Sequence, residues 1–400
     1  MIKEVCITIY LFVFKVIFNF FKLFPLKNKI TFVVSFGDNS QYILEEIQKQ
    51  EIAIKTIILF KGKSYLHFQS YPHLKKIPFD TYNIFTFLRT IYHLATSRHI
   101  LIDNYFGFLA ATKFKKEAEV IQLWHASGAL KKFGLEDISI KNRSKRANLR
   151  FRKVYKNFHK VIVGSDIMAN IFIRSFNISP KQILRTGIPR TDFFYQRNTQ
   201  QIIVDRILKS NPELHNKKII LYAPTYRDNQ LELNHLNIDM EEVQKQLGEG
   251  YILILRLHPA INITDNYQEK FPGFVFDYSS PKYDINELLL ISDYLVTDYS
   301  SIPYEFSILN KPMIFYTYDL EEYKNNRGLI EDFEESIPGP IVRTTEELIH
   351  TLKENKFDLE LLGEYSTKWN KYSNGNSSKN LVNYLFQEQN IKLSQEADSV

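Results

Sequence analysis

The chain has a single cysteine, Cys6, in 400 residues, so no disulfide can form within it and a reducing compartment suits it. Paired cysteine and histidine clusters are missing, which argues against a structural zinc module. Neither the glycine fingerprint of dinucleotide-binding turns nor a P-loop occurs, so any phosphate must be held by other means. There is no internal repeat, no low-complexity tract and no heptad pattern. The apolar N-terminus contains lysine and no small-x-small cleavage site follows it, which argues against a signal peptide.

Acidic side chains are missing from one long stretch. "KNRSKRANLRFRKVYKNFHK", residues 141–160, carries Lys141, Arg143, Lys145, Arg146, Arg150, Arg152, Lys153, Lys156 and Lys160 with no aspartate or glutamate, in a chain of net charge +6. Such a run is either a solvated helix face or the footprint of an anionic surface, phospholipid or nucleic acid. The N-terminus helps to choose. In "VCITIYLFVFKVIFNFFKLF" the polar residues Lys15, Asn19 and Lys22 are spaced i, i+4, i+7 and share one helical face, while the rest of the wheel is mainly Ile, Leu, Val and Phe. This predicts a helix lying in the membrane interface with Lys15 and Lys22 toward the headgroups, ended by Pro25. Arg150, Arg152 and Lys153 would add basic contacts to the same membrane. The expected location is the cell membrane, peripheral on its cytoplasmic face. The alternatives are a helix packed on the protein's own core and an uncleaved transmembrane anchor.

What is present is enough apolar residue, 44% of the chain, for two sizeable cores. Short β-branched runs alternate with amphipathic stretches, the pattern of βαβ units and parallel sheets. Strands are predicted at Ile30–Phe36, Lys55–Phe60, His99–Asp103, Val120–Trp124, Val161–Gly164 and Ile183–Thr186. A second series follows at Lys218–Ala223, Tyr251–Leu257, Phe274–Phe276, Tyr294–Thr297 and Met313–Tyr316. Between them "TGIPRTDFFYQRN" reads as a crossing. The predicted division is a membrane-associating segment at 1–28, α/β domains at 29–195 and 196–390, and a frayed tail at 391–400. A helix at Lys379–Glu388 is placed to pack back across the domain boundary.

Two apolar runs end in histidine: "VIQLWHASGALKKFG" at His125 and "YILILRLHPA" at His258. Ligands of doubly wound sheets bind at the carboxyl ends of strands, and both rings belong there. In "ISDYLVTDYSSIPYEFSILNKP" a strand runs into Ser300 and Ser301, after which Pro303 and Glu305 open a helix. The plain reading is a helix cap; the sharper one is a phosphate cradle, with Glu305 reaching a substrate hydroxyl. "ILYAPTYRDN" supplies Thr225 and Arg227, and "RLHP" supplies Arg256, whose guanidinium fork suits a pyrophosphate. Trp124 and Lys131, flanking His125, offer an apolar wall and a further cation on the acceptor side.

Taken in order, "WHASGALKKFG", "VIVGSD", "TGIPRTDFF", "YAPTYRD", "RLHP" and "ISDYLVTDYSSIPYEF" resemble the CDP-glycerol glycerophosphotransferase family of teichoic acid synthesis over about residues 95–345. The first motif looks most like the primase branch. The resemblance implies a GT-B type fold, two doubly wound Rossmann-like domains facing across a cleft, with CDP-glycerol held mainly by the C-terminal one. It implies a lipid-linked acceptor, an undecaprenyl-diphosphate-linked N-acetylmannosaminyl-N-acetylglucosamine, with CMP released. The family's two essential histidines carry over onto His125 and His258. His125 is then the general base, with the ordinary histidine pKa near 6.5, and His258 a phosphate contact beside Arg256 and Arg227, although the two roles are interchangeable. No cofactor is implied, no aspartate cluster of the metal-holding sort is evident, and dependence on a divalent cation is left open. Rival readings on the same scaffold are a glycerol-phosphate or ribitol-phosphate polymerase and a sugar-nucleotide glycosyltransferase. A non-enzymatic nucleic-acid-binding protein built on residues 141–160 is disfavoured, because it leaves both histidines without a purpose.

Overall fold

The computed structural model describes residues 2–79, 81–225, 227, 232–233, 236–258, 261–330 and 333–397. The chain divides into two compact units: Met1–Ser127, Phe133–Asp192 and Lys371–Val400 form the first, Gly128–Lys132 and Phe193–Asn370 the second. In the first unit α1 (Ile2–Phe21) precedes β1 (Lys27–Val34), α2 (Asp38–Lys49), β2 (Lys55–Phe60), β3 (Lys75–Pro78), α3 (Ile84–Ala95), β4 (Ser97–Ile102) and β5 (Glu119–Gln122). Then come α4 (Lys145–Tyr155), β6 (Lys160–Ile162), α5 (Asp166–Phe176) and β7 (Ile183–Leu184). The sheet is parallel throughout, in the order β3-β2-β1-β4-β5-β6-β7. Its central strands are near-continuous apolar runs because helices cover both faces, and Ile30, Phe32, Val33, Val34, Ile100, Leu101 and Ile102 are fully buried. Strand order reverses between β1 and β4, which makes their carboxyl ends the switch point of this sheet.

The second unit repeats the plan with α6 (Arg197–Ser210), β8 (Lys218–Tyr222), β9 (Glu232–Leu233), α7 (Met240–Leu247), β10 (Tyr251–Leu255), β11 (Asn262–Ile263), α8 (Tyr267–Lys270) and β12 (Val275–Asp277). It continues through α9 (Ile285–Ile291), β13 (Tyr294–Thr297), α10 (Ile302–Phe306), β14 (Met313–Tyr316), α11 (Leu320–Arg327), α12 (Phe333–Ser336), β15 (Ile341–Val342), α13 (Thr345–Glu354) and α14 (Leu359–Trp369). Its main sheet, also parallel, has the order β12-β10-β8-β13-β14-β15, so the reversal falls between β8 and β13.

Sequence and structure differ in three ways. The strands leading to the candidate residues stop one or two positions early, at Val34, Ile102, Gln122 and Leu255, which leaves those residues in the loops beyond. The short strands β3 and β15 gave no signal, since "KKIP" is half lysine and "IV" is only two residues. The chain from Lys371 groups with the first unit rather than with the C-terminal domain. There α15 (Ser377–Ala397) inserts Leu381, Val382, Leu385 and Phe386 into the core that holds Ile43, Leu44 and Ile47 of α2. Both carboxylate oxygens of Asp192 accept N–H groups of its first turn, Ser377 and Ser378, at 2.8 Å each.

Helix α1 is long and apolar enough to cross a membrane by length and composition, yet one edge of it is docked. Glu4, Ile7, Leu11, Phe14, Phe18 and Phe21 recur at spacings of three and four and form its less exposed stripe. Phe14 and Phe18 are fully buried, against Phe87 and Phe108 for the former and Phe114 for the latter. At its start Glu4 takes a two-pronged contact from Arg150 of α4, at 3.0 and 3.2 Å. The opposite face leaves Val5, Ile9, Phe12, Val13, Val16 and Phe20 exposed. Truncating Phe14 removes a fully buried ring, a change that costs about 3–5 kcal/mol. Phe14→Ala is therefore expected to loosen α1, seen as faster proteolytic removal of residues 2–21 while the rest of the first unit resists. Equal protection of helix and unit in the variant would show that the docking does not depend on this ring.

Candidate active site

His125 sits three residues beyond β5, on a loop whose backbone is braced on every side. Trp124 adopts a left-handed conformation (φ 56°), which a bulky residue holds only when its surroundings enforce it. Here they do. The Trp124 N–H donates to Oε1 of buried Gln122 at 2.8 Å, and its carbonyl accepts from Nδ2 of buried Asn39 at 3.0 Å. Asn39 in turn accepts the Arg190 N–H at 3.0 Å, and the Arg190 guanidinium donates to the His125 carbonyl at 3.1 Å. Arg190 belongs to the "TGIPR" crossing, a motif without an assigned role in the sequence.

The His125 imidazole stacks on two rings, Phe36 at 4.1 Å between centroids and Trp124 at 4.5 Å. Its Nδ1 lies 3.1 Å from the Asp103 carbonyl. A carbonyl only accepts, so in the neutral ring Nδ1 carries the hydrogen and Nε2 presents its lone pair. Desolvation on burial lowers the pKa to about 4, with the Asp103 bond and Asp38 opposing and Arg190 acting in the same direction. This corrects the expectation of an ordinary value near 6.5, because the stacking partners were not legible as neighbours. Trp124, expected as a wall for an acceptor, has its ring occupied by His125, Phe133, Phe172 and Phe176.

In the second unit His258 follows β10 and is exposed. Its strand end is fixed by Arg256, which donates to the Tyr278 and Ser280 carbonyls at 2.8 and 2.9 Å, and by the Leu257 N–H, which donates to Ser279 Oγ at 2.9 Å. The His258 pKa is lowered, by partial desolvation first and by the ammonium of Lys131 second. Lys131 therefore stands with His258: residues 128–132 belong to this unit, where Leu130 accepts the Ile330 N–H at 3.0 Å and Lys132 donates to the Gly328 carbonyl at 3.1 Å. Gly128 is required there, since a Cβ would come within 2.5 Å of the buried Tyr304 ring.

Arg227 is a correction. It is 7% exposed, and its guanidinium is taken by Asp319 at 2.7 and 3.0 Å, by Asp298 at 2.9 Å and by the Thr225 carbonyl. The rings of Tyr299, Tyr318 and Tyr323 surround it. The group binds the buried carboxylate of Asp298 and the partly exposed one of Asp319, and not a substrate phosphate. Asp298 also accepts the Thr225 N–H at 2.8 Å, so Thr225 is placed by its backbone. Ser300 Oγ accepts the Ile302 N–H at 3.2 Å, a cap contact, whereas Ser301, which immediately precedes α10, makes no side-chain cap bond. Glu305 is 1% exposed, too deep for the substrate hydroxyl expected of it. Arg256, with its donors on two loop carbonyls, orders the loop beside His258.

Arg150 is likewise spent on Glu4, as Arg143 of the same run is on Asp137 and Lys160 on the Lys181 carbonyl; Arg152 and Lys153 are exposed, as is Lys15. Among the described residues no group of three or more His, Cys, Asp and Glu could hold a metal ion. A cavity of about 630 Å³ opens at the other edge of the first sheet, among Arg98, His99, Glu119, His159, Lys160 and Tyr384. It lies at the amino ends of β4, β5 and β6, away from His125, and is not assigned to the chemistry.

Removing Arg227 leaves the buried Asp298 carboxylate without its cation, a change that costs about 3–5 kcal/mol. Arg227→Met is expected to lower the melting temperature by several degrees or to abolish folding. An unchanged melting temperature with weakened nucleotide binding would return Arg227 to the ligand.

Comparison with known proteins gives the family. Residues 16–387 match the family model of CDP-glycerol:poly(glycerophosphate) glycerophosphotransferase. The teichoic acid glycerol-phosphate primase of Bacillus subtilis (strain 168) is 38% identical over 96% of this chain and 98% of its own. The corresponding primase of Staphylococcus aureus (strain NCTC 8325 / PS 47) is 32% identical over 90% and 91%. A solved structure of the wall teichoic acid polymerase TagF, 23% identical, superposes with a TM-score of 0.79 over 98% of this chain and 99% of that one. That likeness shows the fold, a GT-B type pair of Rossmann-like units. The chain belongs to the CDP-glycerol:poly(glycerophosphate) glycerophosphotransferase family, and is a CDP-glycerol glycerophosphotransferase of teichoic acid synthesis.

Proposed function

We propose that this enzyme transfers glycerol phosphate from CDP-glycerol to an undecaprenyl-diphosphate-linked N-acetylmannosaminyl-N-acetylglucosamine, as a primase adding the first unit. The observation that carries the reading is the bond from His125 Nδ1 to the Asp103 carbonyl, which leaves Nε2 as a proton acceptor. Nε2 takes the proton of the acceptor hydroxyl. The hydroxyl oxygen forms a bond to the β-phosphorus of CDP-glycerol, and the bond from that phosphorus to the bridging oxygen breaks, with its electron pair leaving on CMP. Phosphoryl transfer of this kind depends more on position than on base strength. A ring that stays neutral down to about pH 4 and cannot turn serves it well. His258 and Lys131 supply hydrogen-bond donors and charge to the donor phosphates in the second unit. The primase reading is supported by the 38% and 37% identities to two Bacillus glycerol-phosphate primases over 96% and 95% of this chain, against 34% over 66% of it for the Bacillus subtilis poly(glycerol phosphate) polymerase and 31% over 92% for the Bacillus spizizenii poly(ribitol-phosphate) polymerase.

The same proposal places the enzyme on a membrane surface. The exposed apolar face of α1 suits the boundary between headgroups and acyl chains. The exposed cations of α4, Lys145, Arg146, Arg152 and Lys153, stand on the helix that the Arg150–Glu4 pair joins to α1.

His125→Ala is expected to lower turnover by about 10²–10⁴-fold, the usual size of general-base catalysis, with CDP-glycerol affinity unchanged. His258→Ala should weaken donor binding as well. Calorimetric affinity beside turnover, on variants shown to be folded, separates the two; full turnover in His125→Ala would end the mechanism. The mass of the lipid product decides primase from polymerase: a gain of one glycerol phosphate is expected, and a ladder of gains would overturn the primase reading.

Arg152→Glu with Lys153→Glu should weaken binding to phosphatidylserine-containing vesicles by about 1 kcal/mol for each cation removed, and leave binding to neutral vesicles as it was. Unchanged affinity for the anionic vesicles would remove α4 from the membrane site.

A further inference from the structure

The turn between β1 and α2 is where an open parallel sheet of this order ordinarily receives a phosphate, and in this chain it is already filled from within. Asp103, the residue after β4, is 1% exposed. Its carboxylate accepts the N–H groups of Ser35, Phe36 and Gly37, each at 2.9 Å, and the Ser35 hydroxyl at 3.2 Å. Three successive N–H groups converging on one anion form a nest of the kind that binds phosphate. Gly37 takes the left-handed turn (φ 107°) that aims them, and a Cβ there would fall 2.6 Å from the His67 ring. The carboxylate fixes this turn, and the turn carries Phe36. Its ring is 43% exposed, an odd place for phenylalanine, yet it lies 4.1 Å from the His125 ring at an interplanar angle of 13°.

We propose that Phe36, held in place by the Asp103 carboxylate, is a positioning residue of the transfer reaction that acts through His125, locking the imidazole in the one orientation that aims Nε2 outward. This rests on the reading of His125 as the base. The imidazole has a ring stacked at 4.1 Å and another at 4.5 Å, nearly parallel to it. Turning it about the Cβ–Cγ bond to exchange Nδ1 with Cδ2 would drive its edges into both. Trp124 is anchored on the Phe133, Phe172 and Phe176 rings, so its side of the stack is permanent. Phe36 is the removable side. With it gone the ring gains room to turn and water to charge it, and the bond from Nδ1 to the Asp103 carbonyl no longer selects one tautomer. The charged groups that bear on the ring are Arg190, which disfavours the imidazolium, and Asp38, which favours it; Phe36 decides how much solvent they compete with. Asp103 therefore serves the histidine twice, through its carbonyl directly and through its carboxylate by way of Phe36.

Phe36→Ala tests this without opening the core, because the residue is 43% exposed and outside it. In the full chain, nitrogen NMR of the histidines should show His125 as the Nδ1-protonated tautomer with a pKa of about 4. In Phe36→Ala the pKa should rise toward the ordinary 6.5 with a mixed tautomer. Turnover should fall about 10- to 100-fold with little change in KM for CDP-glycerol. The acid limb of kcat should move up in pH with the ring, since the fraction of neutral base is lost as pH falls through the folded-state pKa. Phe36→Tyr, which keeps a ring face, should recover most of the loss. Asp103→Asn turns an N–H₂ group toward N–H donors and so perturbs fold and site together, which is why Phe36 is the better probe. An unchanged pKa, tautomer and turnover in Phe36→Ala, beside a collapse of turnover in His125→Ala, would overturn the positioning role and leave the base intact. Full turnover in His125→Ala would instead remove the base, while the NMR signature of Phe36 stood.

Discussion

A carboxylate sealed from water must find donors or lose its charge, and in the first unit that constraint organises the site. Asp103 ends the apolar run of β4 at the point where the strand order of the sheet reverses. The donors it finds are the amides of the turn leaving β1, so one group closes the switch point, shapes the entry to α2 and aims its own carbonyl at His125. Burial raises its pKa while each amide opposes the rise. The absence of a glycine fingerprint follows: a turn that grips an internal anion needs no room for a pyrophosphate.

The second unit solves the same problem at the same place. Its reversal lies between β8 and β13, and the residue after β13 is Asp298, 1% exposed, which accepts the N–H of Thr225 from the loop that leaves β8. Asp103 and Asp298 thus stand at equivalent positions of two sheets with the same winding. They differ in compensation. Asp103 is satisfied by amides and a hydroxyl, whereas Asp298 also has the Arg227 guanidinium, shared with Asp319. An arginine held between two carboxylates in a shell of tyrosines also donates to the Thr225 carbonyl just beyond β8, and that is its contribution to the site.

What was legible followed from local pattern. Apolar runs bounded by polar residues located the strands, and their ends located both histidines, because periodicity and burial are properties of a few consecutive residues. The partners that give those ends their chemistry were not legible, since they come from far along the chain. Phe36 and Asp103 reach His125 across 89 and 22 residues. Arg227 meets its carboxylates across 71 and 92, and without them "YAPTYRD" reads as an exposed cation waiting for phosphate. Asp103 carries the same signal as the histidines, an apolar strand ending in a titratable group in "ILIDN". Lys131 stands close to His125 in the chain but is paired by a bridge to Leu329 in the other unit, a separation that no spacing rule conveys.

Helix α1 shows how two demands can be written on one wheel. Reading it for polarity picks out Lys15, Asn19 and Lys22, which suggested a lysine face over an apolar remainder. Reading it for burial picks out Phe14 and Phe18 with the neighbours three and four residues away, a stripe rotated from the lysines. A helix needed only for that stripe would carry polar residues elsewhere, because exposed apolar area gains nothing in water. This one carries Val5, Ile9, Phe12, Val13, Val16 and Phe20 outward, and the same unit exposes Ile84 and Phe85 at the start of α3, the helix α1 packs on. Docking and exposure are therefore separate features of the sequence. The stripe with its Arg150 clasp holds the helix to the first unit, and the face that remains exposed is the one on which the membrane proposal rests.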